Sequence, residues 1–78
     1  MNTSVVIVHL PDGSRRDMEI PMDITAEQLI FALYTGLGIK GRKPSSLRMD
    51  NPIAYMSGSM KIVDFGVHNG TEIYFAKE

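Results

Sequence analysis

The sequence predicts an α+β domain in which a mixed sheet of four to five strands packs on one helix. Three observations predict it. A single stretch, residues 25–37, carries helical periodicity. Short β-branched or alternating apolar runs lie on both sides of it, and compact turn signals separate those runs. An isolated amphipathic helix of about 12 residues is marginal in water, so it needs an apolar surface to lie on. The flanking runs can supply that surface as a sheet.

Taken in order, Val5-Val6-Ile7-Val8-His9-Leu10 is dominated by β-branched residues and reads as a strand. Pro11-Asp12-Gly13-Ser14 is a turn: proline presets φ, aspartate folds back on its own backbone, and glycine accepts positive φ. Residues 15–20 then alternate, with Met18 and Ile20 on one face and Asp17 and Glu19 on the other, which completes a hairpin. Pro21 stops the second strand, and Met22-Asp23-Ile24 leads into the helix.

Thr25 is placed as the helix N-cap, with Gln28 three residues on to close a capping box and Glu27 suited to the positive end of the helix dipole. Ala26, Leu29, Ile30, Leu33 and Leu37 form one apolar stripe. Gly36 and Gly38 supply the stop, Gly38 as a left-handed residue after Leu37. Residues 39–46 form a polar, glycine- and proline-bearing connection. Leu47-Arg48-Met49 is a short strand, Asp50-Asn51-Pro52 a turn, and residues 53–56 another short strand ended by Ser57-Gly58-Ser59. Residues 60–65 read as a turn of helix. Asn69-Gly70 is the strongest short turn signal in the chain, and residues 71–76 close it as a strand, with Ile73 and Phe75 on one face and Glu72, Tyr74 and Ala76 on the other.

Composition narrows the class. The chain has 78 residues, enough for a single domain over 1–78 and one core. A 44% hydrophobic content argues against disorder. The absence of cysteine excludes disulfides, thiolate metal sites and cysteine nucleophiles, and suits a reducing compartment. Eight basic against nine acidic residues give a formal charge of −1, so bulk attraction to nucleic acid or an anionic membrane is not expected. Residues 1–8 lack the basic region of a signal peptide, and no apolar run approaches the roughly 20 residues that span a bilayer. A soluble, cytoplasmic protein without direct membrane insertion is expected.

The element order is strand, strand, helix, strand, short strand, strand. A mixed sheet curled over one helix, the β-grasp, buries the helix stripe with the fewest exposed apolar side chains. That fold requires the first and last strands to pair in parallel at the sheet centre, which accounts for their Val, Ile, Tyr and Phe content.

Over essentially its full length the chain resembles ubiquitin and its relatives. The likeness is carried by the Leu10-Pro11-Asp12-Gly13 turn after Val6 and Val8, by the threonine-capped start Asp23-Ile24-Thr25-Ala26-Glu27-Gln28-Leu29, and by Ile62-Val63-Asp64-Phe65-Gly66-Val67-His68-Asn69-Gly70-Thr71. Within that superfamily the helix, the closing Asp-Phe-Gly-Val-His-Asn-Gly motif and the early stop are similar to the YukD/EsaB family. Those are small ubiquitin-like proteins associated with type VII (ESX/WXG100) secretion in Gram-positive bacteria. The resemblance implies a cytosolic accessory or regulatory protein whose partners are components of a membrane secretion machine. Conjugating or sulfur-carrying relatives need a flexible tail ending in Gly-Gly, whereas this sequence ends Tyr74-Phe75-Ala76-Lys77-Glu78. Non-covalent binding is therefore expected. Two alternatives stay open: a ubiquitin-like adaptor or enzyme-accessory domain unrelated to secretion, and a truncated modifier or sulfur carrier.

No catalytic set can be assembled. His9 and His68 lack a neighbouring histidine or carboxylate at metal-ligand spacing and read as surface or turn residues. Asp12 and Asp23 read as turn and helix-start residues, and Asp64 as a side-chain cap in a tight turn. No phosphate-binding glycine motif is present. A non-enzyme without cofactor or metal is expected. Binding surfaces offer more. If Val6 and Val8 face the helix with Met18, Ile20, Leu47, Met49, Ile73 and Phe75, then Val5, Ile7, His9, Arg48 and Tyr74 share the outer sheet face. That face is the primary protein-binding candidate, set against the plain account that strand propensity alone chose valine and isoleucine. Phe31 and Tyr34, off the helix stripe, are expected to cover the core edge or to form a second partner contact, including a weak homo-oligomer contact. Lys40, Arg42 and Lys43 read as a solvated loop.

Overall fold

The computed structural model describes residues 2–75. β1 (Thr3–His9) and β2 (Arg15–Pro21) form the antiparallel hairpin, with Val6 opposite Met18 and His9 opposite Arg15. The turn between them is closed by its own side chain: the Asp12 carboxylate accepts from the Ser14 N–H at 2.9 Å and from the Ser14 hydroxyl at 2.6 Å. The Ser14 hydroxyl, and after it the Ser14 N–H, holds the Asp12 carboxyl below the usual 3.8. Pro21 ends β2, which lies at the sheet edge where a missing N–H leaves no ladder bond unmade.

α1 (Ala26–Gly36) follows the expected cap. Thr25 Oγ1 accepts from the Gln28 N–H at 3.1 Å, and Gln28 Oε1 accepts from the Thr25 N–H at 2.9 Å. A capping contact of this kind contributes about 1 kcal/mol. Two of the helix's otherwise unpartnered N–H groups bond outside it: Ala26 donates to the Met60 carbonyl and Glu27 to that of Gly58. At the far end Gly38 takes φ 66°, its N–H donating to the Thr35 carbonyl and the Ile39 N–H to that of Tyr34. This is the paired-carbonyl stop that the glycine after Leu37 predicts.

β3 (Ser46–Asp50), β4 (Ala54–Ser57), a 3₁₀ turn (Ile62–Phe65) and β5 (Glu72–Tyr74) complete the chain. The sheet order is β2-β1-β5-β3-β4, with β1 and β5 parallel and β5 antiparallel to β3. One helix on a five-stranded mixed sheet is the β-grasp arrangement. The helix buries Ala26, Leu29, Ile30 and Leu33 against Val6, Val8, Ile20, Leu47, Met49, Met56, Ile73 and Phe75, while Ile62 and Val67 close the end. Fully burying a Leu or Ile side chain contributes about 1.5–3 kcal/mol, so this single layer of apolar contact is the main source of stability.

Four expectations need correction. Ile53 belongs to the turn and is exposed; Asn51, at φ 63°, begins a turn through Ile53, and the β4 ladder starts only where Ala54 faces Met49. Thr71 precedes β5 because its side chain is committed to the loop: its buried hydroxyl donates to the Asn51 carbonyl at 2.9 Å and accepts the His68 N–H at 3.0 Å. The 3₁₀ turn starts from Lys61 with no side-chain cap, and Asp64 is exposed. Met18 is only half-buried, since it lies on the edge strand at the open side of the helix. Ala76, expected to extend the last strand on the outer face, lies outside the described residues.

Candidate functional site

With the helix covering one face, no second layer among the described residues covers the other face of the sheet. Strand parity brings all five expected residues, Val5, Ile7, His9, Arg48 and Tyr74, onto it. Register sets their order. Across the strands, Arg15, His9, Tyr74, Arg48 and Tyr55 form one row, because His9 faces both Arg15 and Tyr74, and Arg48 faces both Tyr74 and Tyr55. The next row is Asp17, Ile7, Glu72 and Asp50. Val5 stands one step further along β1, opposite Glu19.

The first row is packed as a stack. The His9 and Tyr74 rings lie 4.3 Å apart at 8°, and the Arg48 guanidinium sits 5.2 Å from the centre of the Tyr74 ring. A cation over an aromatic ring at a partly exposed site contributes about 0.5–1 kcal/mol. The second row fixes the first from below. His9 Nε2 lies 2.7 Å from Glu72 Oε1, Arg48 reaches Asp50 at 2.9 Å, and the Tyr74 hydroxyl donates to Asp50 at 3.1 Å and to Glu72 at 3.3 Å. Tyr74 is thus an oriented half-buried ring with its hydroxyl engaged, while Val5, 45% exposed, and Ile7, half-buried, present bare aliphatic surface.

These contacts set an alkaline test. Burial, followed by the hydrogen bond to Asp50 and the negative charges of Asp50 and Glu72, raises the Tyr74 phenol above its ordinary value of 10.0. The folded state therefore favours the neutral phenol. The stabilisation from this site is complete below pH 10 and is lost as pH rises through the higher folded-state value. Phenolate absorbance of the wild type minus that of Tyr74→Phe should show a midpoint above 10, lowered by Asp50→Asn. A midpoint at or below 10 would contradict the hydroxyl–carboxylate contacts.

The sequence places Glu72 on the face of Tyr74 but gives it no part in the binding surface, does not bring Asp50 and Tyr55 there, and leaves His9 without a carboxylate. The signal was available in Arg48-x-Asp50 and Glu72-x-Tyr74, since residues two apart on a strand share a face. Of the helix pair, Tyr34 packs against the core, whereas Phe31 stands 58% exposed. Lys40, Arg42 and Lys43 are exposed in the loop after the helix. His68 is exposed at the turn, its Nδ1 against the Asn69 carbonyl at 2.8 Å. Among the described residues no three His, Asp or Glu side chains gather as metal ligands, and no helix is long and apolar enough to cross a membrane.

The fold and this face define an α+β domain of β-grasp architecture in which the described residues leave one sheet surface uncovered. No protein-family model matches the chain, and no curated protein matches it.

Proposed function

We propose that this chain is a non-covalent protein-interaction module that docks through its outer sheet face, as an accessory or regulatory component of a cytoplasmic assembly. Val5, Ile7 and Tyr74 are the apolar anchors, and Arg48 orients the partner. The observation that carries the reading is the ordering of an uncovered face: His9, Tyr74 and Arg48 are stacked and tied to Glu72 and Asp50, beside bare Val5 and Ile7. Side chains held in place before binding lose less entropy when a partner arrives. The resemblance of the helix and of the closing motif Asp64 to Gly70 to the YukD/EsaB pattern supports a partner within a type VII secretion machine.

Affinity capture with Ile7→Asp tests the docking face. Ile7 lies between Asp17 and Glu72 in the register, so a new carboxylate there adds like-charge repulsion to the lost anchor. Ile7→Lys removes the anchor without that repulsion, and both variants should keep the wild-type circular dichroism spectrum. Each should weaken capture of the partner at least about tenfold. Undiminished capture by both variants would remove this face. A captured membrane ATPase or small secreted substrate favours the secretion assignment, and a biosynthetic enzyme overturns it.

A further inference from the structure

The two rows of the outer face differ in charge, and the difference specifies a partner. Arg15 and Arg48 lie in the aromatic row, whereas Asp17, Glu72 and Asp50 flank Ile7 in the next, and Glu19 stands beside Val5. Arg48 offsets Asp50 through their 2.9 Å contact, and the Thr3 hydroxyl donates to Glu19 at 2.6 Å without changing its charge. Asp17 has no hydrogen-bond or ion-pair partner among the described residues, and both Asp17 and Glu19 are exposed on the edge strand. Glu72 meets His9 at 2.7 Å and the Tyr74 hydroxyl at 3.3 Å, but no lysine or arginine. Among the described residues, the bare aliphatic pair Val5–Ile7 is therefore rimmed by three carboxylates, Asp17, Glu19 and Glu72, that pair with no lysine or arginine.

Resting on the docking role proposed above, we infer that the occupant of this face is a basic amphipathic polypeptide segment, one that lays an apolar side chain on Val5 and Ile7 and lysine or arginine against Asp17, Glu19 and Glu72. An acidic segment would meet like charges around the anchors, and a neutral one would leave the carboxylates of Asp17, Glu19 and Glu72 desolvated beside it.

The test uses the full chain labelled with ¹⁵N and two synthetic helical probes of identical pattern, one Leu/Lys and one Leu/Glu. The Leu/Lys peptide should shift the amides of Val5, Ile7, Asp17 and Glu72, and its binding should weaken as salt is raised. The Leu/Glu peptide should leave them unmoved. Asp17→Asn/Glu19→Gln, which alters only exposed side chains, should weaken Leu/Lys binding about five- to tenfold. Equal binding of both probes, an unaffected double variant, or shifts confined to other surfaces would overturn the inference. Failure here with Ile7→Lys still abolishing capture would leave the docking face standing and reject only its charge preference.

Discussion

Replacing Ile73 with alanine is expected to lower the unfolding free energy by about 3 kcal/mol. Ile73 is fully buried in the middle of β5, facing Val8 on one neighbour and Met49 on the other. The backbone of β5 joins the hairpin to the β3–β4 pair, so a cavity at Ile73 sits where the two halves of the sheet meet. A domain of this length has roughly 4–12 kcal/mol of stability, which makes the loss a large fraction of the whole. Urea unfolding should show a lower midpoint with an unchanged slope. Ile73→Val, which removes one methyl group, should lose only about 1 kcal/mol. An alanine variant no weaker than the valine variant would contradict the central placement of β5.

Thr71→Val should cost about 2–4 kcal/mol although it preserves shape. The Thr71 hydroxyl is buried and serves two backbone groups from different parts of the chain, the Asn51 carbonyl and the His68 N–H. Valine leaves both without that partner, and a buried polar group left unpaired costs about 1–3 kcal/mol. The same loop also binds β1: Asn69 Oδ1 accepts the Val5 N–H at 2.7 Å, and the Gly70 N–H donates to the Val5 carbonyl at 2.9 Å. Loosening Thr71 should therefore speed hydrogen exchange at His68 and Val5 as well as lowering the urea midpoint. Thr71→Ser keeps the hydroxyl and loses a methyl group. If the hydrogen bonds dominate, serine is the milder change; if apolar packing dominates, valine is. Serine proving worse than valine would refute the hydrogen-bond account.

The parts of the fold that the chain discloses in advance are those governed by local chemistry. Thr25 with Gln28, Asp12 with Ser14, and Gly38 after Leu37 each act within a few residues, and each is formed as expected. Parity along a strand is equally local, which is why the five outer residues share a face. What depends on register between distant strands was not legible. His9 meets Glu72 only because β1 and β5 pair in parallel with His9 opposite Tyr74 and Ile7 opposite Glu72. The charge rows likewise exist only across four strands, so no single segment reveals them. The core contributions of Met56, Ile62 and Val67 have the same origin, since their burial depends on how the chain returns beneath the helix. Ile53 was misplaced because the Asn51 turn consumes one more residue than its Asn-Pro signal suggests.

The most direct measurement is amide and side-chain shift mapping on the labelled full chain with the captured partner added. The account predicts that Val5, Ile7, His9, Arg48 and Tyr74 respond together while Phe31 and its helix neighbours stay unmoved. A response centred on Phe31, with the sheet face silent, would contradict it.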